Sequence, residues 1–108
     1  MNENNLSSLM NNTKWKEKRN AMIGYPRTTK WRTKDIRTGY LSEWDSEWFY
    51  HFSEGGYKTI EYLEIRFENQ EMKSEILKLL MKVHVPGELK SESIIIYGYK
   101  EKGHIDYL

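Results

Sequence analysis

Residues 69–100 read NQEMKSEILKLLMKVHVPGELKSESIIIYGYK, and two patterns inside this stretch decide the fold class. Met72, Ile76, Leu79, Leu80 and Val83 recur at the spacing of one helical face, which Leu77 and Met81 widen. Asn69 is placed to cap the first turn, Glu71 complements the positive end of the helix dipole, and Pro86 with Gly87 forbids continuation. Ile94, Ile95, Ile96, Tyr97 and Tyr99 then follow almost without a polar break, as expected of a strand buried on both faces and central in a sheet. A secure helix next to a central strand calls for helix packed on sheet.

Working outward, Tyr57 to Phe67 extend as a strand with Leu63, Ile65 and Phe67 on one face and Ile60 and Tyr62 on the other. Trp48, Tyr50 and Phe52 alternate with Glu47, Phe49 and His51, a strand with one aromatic face, and Ser53 to Gly56 supply the turn between the two. Thr28 to Arg37 are rich in β-branched residues, but their large apolar groups, Trp31 and Ile36, differ in parity, so an edge strand with a bulge is expected. Residues 38–46 read as a loop. Leu6, Leu9 and Met10, then Trp15, Arg19, Met22 and Ile23, carry helical spacing, with Thr13 capping the second piece and Gly24 and Pro26 ending it near Ile23.

The resulting order α-β-β-β-α-β, with a further short strand over 104–108 beside the Ile94 strand, predicts an α+β domain. It has an N-terminal helix, a mixed but mostly antiparallel sheet of four to five strands, and a second helix packed on that sheet. The mixed character is expected because the second helix is long enough for a parallel crossover between the Tyr57 and Ile94 strands.

A chain of 108 residues buries only about 65% of its unfolded surface, which supports one core, so residues 1–108 form a single domain, with 1–12 as a partly ordered leading segment. Without cysteine there is no disulfide framework, thiolate nucleophile or zinc knuckle. No basic start with an apolar run marks a signal peptide, and no stretch approaches a membrane span, so a cytoplasmic protein without membrane contact is the expectation.

The formal charge of +1 hides a segregation. Thr13 to Thr38 hold nine cations against Glu17 and Asp35, whereas Gly39 to Glu75 hold nine acids against Lys58, Arg66 and Lys73. One reading has the basic segment 14–37 bind nucleic acid, with Arg27, Lys30, Arg32 and Lys34 on phosphates and aromatic rings on bases. The reading favoured by the adjoining acids is that basic and acidic strands pair across the sheet.

For chemistry, His51 and Glu47 are the first candidates, but four residues along a strand separate them by roughly 13 Å, too far to share a metal. A cross-strand Glu61 or Glu64 is the remaining partner for His51, and a structural histidine is the expectation. His84 suits the negative end of the second helix, and His104 has no cluster around it. No HExxH, GxSxG or P-loop pattern occurs, so no enzyme, cofactor or metal is expected. Aromatic content is the unusual feature: 4 Trp, 8 Tyr and 3 Phe exceed what so small a core encloses. Trp48, Tyr50 and Phe52 are expected inside, and Trp31, Trp44, Asp45, Phe49, Tyr97 and Tyr99 are the candidate partner-binding residues.

WDSEWFYHF at 44–52 and YKTIEYLEI at 57–65, with NTKW at 12–15, VP at 85–86 and IYGY at 96–99, resemble the signature of a family of small bacterial proteins classed only as a domain of unknown function. Ser46 stands where that signature has glycine. The resemblance spans most of the chain and implies no reaction. The expected role is a protein-binding domain acting by stoichiometric contact, as immunity-type inhibitors or adaptors do; the alternative is the nucleic-acid module. The partner is expected to be another protein, and self-association into a homo-oligomer stays open.

Overall fold

The computed structural model describes residues 6–10, 12–27, 29–46, 59–101 and 107–108. The expected strand over 47–52, with Trp48, Phe49, Tyr50, His51 and Phe52, and the segment around His104 lie outside these residues. In chain order the elements are β1 (Leu6–Ser8), α1 (Asn12–Ile23), β2 (Lys30–Asp35), β3 (Ile60–Arg66), α2 (Gln70–Val83), β4 (Gly87–Leu89), β5 (Ser93–Tyr97) and β6 (Tyr99–Glu101). The architecture is α+β: a four-stranded sheet in the order β2-β3-β5-β4, two helices against one face, and a two-stranded β1-β6 sheet.

Among the described residues every strand pair is antiparallel, which corrects the expectation of a mixed sheet. β5 lies between β3 and β4 and runs against both, so β3 and β4 point the same way two places apart. The crossover through α2 therefore delivers the chain to β4, and a turn closed by Lys90 N–H on the Ser93 carbonyl at 2.8 Å reverses it into β5. Pro86-Gly87 ends the helix as expected but also opens a strand. Gly87 is needed there because a Cβ would stand 2.4 Å from the Ile95 carbonyl oxygen.

α2 is built as its sequence prescribes. The Asn69 side chain accepts from Met72 N–H at 2.8 Å, and Met72, Ile76, Leu80 and Val83 are buried, each contributing about 1.5–3 kcal/mol by leaving water. His84 closes the helix in the left-handed region at φ 58, its N–H bonded to the Leu80 carbonyl. Lys14 Nζ donates to the Val83 carbonyl, so the start of α1 sits against the end of α2 and supplies a cation to the negative end of its dipole.

α1 ends at Ile23 as expected, but it begins at Asn12, which places Thr13 inside the helix, and its buried face is Trp15, Lys18 and Met22. Trp15 and Met22 are buried as expected, whereas Arg19 is half-buried and Ile23 is 41% exposed, and Lys18 takes the inner position expected of Arg19. Residues 6–8 are also corrected: their backbone forms β1, in register with β6 from Leu6↔Glu101 to Ser8↔Tyr99. Leu9 N–H continues the attachment to the Gly98 carbonyl at 2.9 Å. Long-range pairing overrides the local helical spacing.

The sheet is two-sided by parity. Trp31 of β2, Leu63 and Ile65 of β3 and Ile94 and Ile96 of β5 join Trp15, Met22, Ile76 and Leu80 in one core cluster. Trp31, expected at the surface, is only 5% exposed and belongs to this inner layer. β2 is a terminal strand of this sheet, as expected, but the expected bulge falls on its partner: Lys34 faces Tyr62 and Asp35 faces Ile60, leaving Glu61 of β3 as the extra residue. The following segment shields β2's outer edge. Asp35 N–H bonds the Tyr40 carbonyl at 2.9 Å, Ser42 N–H bonds the Thr33 carbonyl at 2.9 Å, and Trp31 and Asp45 exchange two backbone bonds of 2.7 and 2.8 Å.

Candidate functional site: the outer face of the sheet

The outer face carries Lys30, Arg32 and Lys34 from β2, Tyr62, Glu64 and Arg66 from β3, and Ser93, Ile95 and Tyr97 from β5, as alternation along each strand requires. Arg32 Nε donates to Glu64 Oε1 at 2.7 Å, and Ser93 Oγ donates to Glu64 Oε2 at 2.6 Å. The Trp44 ring lies 4.4 Å from the Arg32 guanidinium, and the Arg66 guanidinium lies 6.0 Å from the same ring. One arginine is thus held by a carboxylate and stacked by an indole, while the carboxylate is fixed by a serine from the next strand.

Beside this group, the bulged Glu61 reaches Lys34 Nζ at 3.4 Å, and that ammonium lies 6.0 Å from the Tyr62 ring. Bulges re-aim side chains in this way. Tyr97 Oη donates to Glu88 Oε2 at 2.6 Å, and Lys90 pairs with the same carboxylate at 2.8 Å. Arg32, Glu61, Tyr62, Glu64, Lys90 and Tyr97 border a shallow, open groove of about 590 Å³ across β3 and β5. A second hollow, of about 410 Å³, lies between β2 and the Tyr40–Asp45 segment and is lined by Trp31, Thr33 and Tyr40. Among the described residues no three His, Asp or Glu side chains converge as a metal site.

Of the candidate partner-binding residues, Trp44 and Tyr97 reach the outer face half-buried, and Tyr99 is half-buried on β6. Asp45 is held by its backbone to Trp31, Trp31 itself is in the core, and Phe49 lies outside the described residues. The four cations of the alternative reading do not form one cluster. Arg27 pairs with Glu71 at 2.8 Å and Glu75 at 3.4 Å on α2, Arg32 with Glu64 and Lys34 with Glu61. Lys30 alone of the four is exposed without an ion pair among the described residues. The segregated charge of the sequence is, in space, mutual neutralisation between β2 and β3 and between residue 27 and α2.

Sequence reasoning missed Arg66 and Ser93 as site residues; it placed Glu61 and Glu64 in the acidic segment expected to pair with the basic strand, and also weighed them as cross-strand partners for His51. Both glutamates are engaged by β2 cations, as the expected pairing of basic and acidic strands requires; His51 lies outside the described residues. The available signal was the alternation of charge along Arg32 and Lys34 against Glu61 and Glu64, which becomes a pairing only once the antiparallel register is known.

Residues 1–103 match the model of a family described as "Family of unknown function (DUF6678)". No curated protein and no solved structure matches the chain.

Proposed function

We propose, from the premise that the chain belongs to the DUF6678 family of unknown function, that it is a non-catalytic protein-binding domain. It acts by stoichiometric contact as an immunity-type inhibitor or adaptor in a bacterial cytoplasm, and the outer sheet face is the contact surface. The observation that supports this reading is the Glu64–Arg32–Trp44 arrangement, with its 2.7 Å ion pair and 4.4 Å stack. Trp, Tyr and Arg dominate binding hot spots, and side chains already ordered before contact lose less entropy on association. The nucleic-acid reading is weaker because three of its four cations are already opposed by carboxylates, which leaves little uncompensated charge to release counterions from phosphates.

The test is capture with the tagged full chain from the source organism, with proteins and nucleic acids both identified. A protein partner retained after nuclease treatment, in one-to-one ratio, and lost with Trp44→Ala is the expected result. Oligonucleotide binding with a steep salt dependence, abolished by Arg27→Ala with Lys30→Ala, overturns it.

A further inference from the structure

On the outer face the β2/β3 register places Arg32 opposite Glu64 and Lys34 opposite Tyr62 next to the bulged Glu61, but Lys30 directly opposite Arg66. The first two positions are complementary. The third sets two cations against each other, an arrangement that weakens a strand pair. Both side chains are exposed, and neither has an ion pair among the described residues. The nearest carboxylate along β3, Glu64, is engaged on both oxygens by Arg32 and Ser93. Trp44 flanks Arg66 at 6.0 Å.

We infer that Lys30 and Arg66, walled by Trp44, form a receptor for an acidic segment of a partner protein, the carboxylates of one or two Asp or Glu side chains lying between the two cations. This rests on the protein-binding reading and names its chemistry. Arg offers a forked donor to a carboxylate and Lys a mobile point charge, and the indole flanks the arginine on one side. A protein segment fits better than nucleic acid. Glu64 adjoins the cations on the strand, and Glu68 and Glu92 line the hollow of about 340 Å³ next to Arg66. A phosphate chain continues its charge along its length and would run onto these acids, whereas an acidic peptide places a few charges and stops.

The test uses the ¹⁵N-labelled full chain titrated with a capped hexapeptide of Asp and Glu, with a capped Lys hexapeptide and an oligothymidine of equal charge to the acidic peptide as further arms. Saturable shifts of the Arg66 Nε–H, the Trp44 indole N–H and the Lys30 amide are expected with the acidic peptide alone. Lys30→Glu and Arg66→Glu should each lower that affinity at least about tenfold. Lys30→Glu should also melt about 1–5 °C higher than the parent, because it turns a like-charge position into a cross-strand pair. Unchanged affinity in both variants, shifts spread evenly over the helical lysines, tighter oligothymidine binding at this pair, or a lower melting point for Lys30→Glu overturns the inference. If it fails while capture of a protein partner still depends on Trp44, only the acidic-segment assignment falls; if capture fails as well, the protein-binding reading falls with it.

Discussion

Lys18 is fully buried beside the Trp15 ring, its Nζ 5.3 Å from the ring centroid, and burial first, then Arg19, pushes its ammonium well below the usual lysine range. The unfolded chain holds that proton up to about pH 10.5, so between the lowered value and that point the unfolded state binds more protons and stability rises with pH. Tyr25 works in the opposite sense: burial and its bond to Glu75 raise its phenol above 10.0, so it lowers stability only in stronger alkali. Urea melts from neutral pH toward pH 10 should therefore show stability climbing, and Lys18→Met should flatten the climb. A parent profile that is flat or falling over this range would remove the buried-ammonium account. Gly98 is the second decisive residue, since a Cβ would lie 2.1 Å from the Ile60 carbonyl oxygen and 3.1 Å from Trp15 Cζ2. Gly98→Ala should cost about 1–3 kcal/mol in denaturant midpoint by overpacking; a cost within error of zero would mean that β5 and β3 separate freely there. Neither role is legible in the sequence. Lys18 reads as one cation of a charged run, and Gly98 as one more position inside the Ile94 strand, because both roles depend on chain that is distant in sequence.

Among the elements, the turn from Asp35 to Tyr40 rests on one carboxylate. Asp35 Oδ1 accepts from Arg37 N–H at 2.8 Å and Thr38 N–H at 3.0 Å, and Gly39 takes φ 73 with its N–H on the Asp35 carbonyl. These donors, Thr38 first and then Arg37, hold the carboxyl below its usual 3.8. A depressed folded pKa stabilises above the unfolded value and is lost as pH falls through the folded one. Asp35→Ala should destabilise at pH 7 and progressively less as the pH falls below 3.8, with the Arg37 and Thr38 amides exchanging faster in acid; a penalty that does not change with pH would refute the role of the charge. α2 was legible because caps, periodicity and terminator agree at one place, as with Asn69, Met72, Ile76 and Pro86. β4 was not, because Pro86-Gly87 carries a stop signal whose second meaning, close approach to Ile95, needs the neighbouring strand. α1 was read with the right end and with Trp15 and Met22 of its buried face, but with Arg19 in place of Lys18, since the two cations are one position apart and pattern alone does not choose between them.

At the scale of the whole molecule, the two charged halves of the sequence meet at the β2/β3 pairing and where Arg27 reaches α2, so net charge near zero coexists with a dense set of local attractions. Glu64 is engaged on both oxygens, its side chain 15% exposed between Arg32 and Ser93. Glu64→Gln should cost about 1–2 kcal/mol, with part of the difference from the parent disappearing in molar salt; no loss would mean that the strands, not the charges, set this register. The candidate site was half legible at this scale: Trp44, Tyr97, Arg32 and Lys34 were in view, but their complement on β3 emerges only when antiparallel pairing aligns residues 30–35 with 60–66. The β1–β6 sheet sets the order of folding. Because Leu6 pairs with Glu101, nearly the entire chain must close as a loop before those hydrogen bonds form, whereas α2 and the β4–β5 turn need only near neighbours. In pulsed hydrogen exchange during refolding, the amides of α2 and β5 should gain protection first and the Leu6–Ser8 pairing last, so the clasp records completion of the fold and takes no part in starting it.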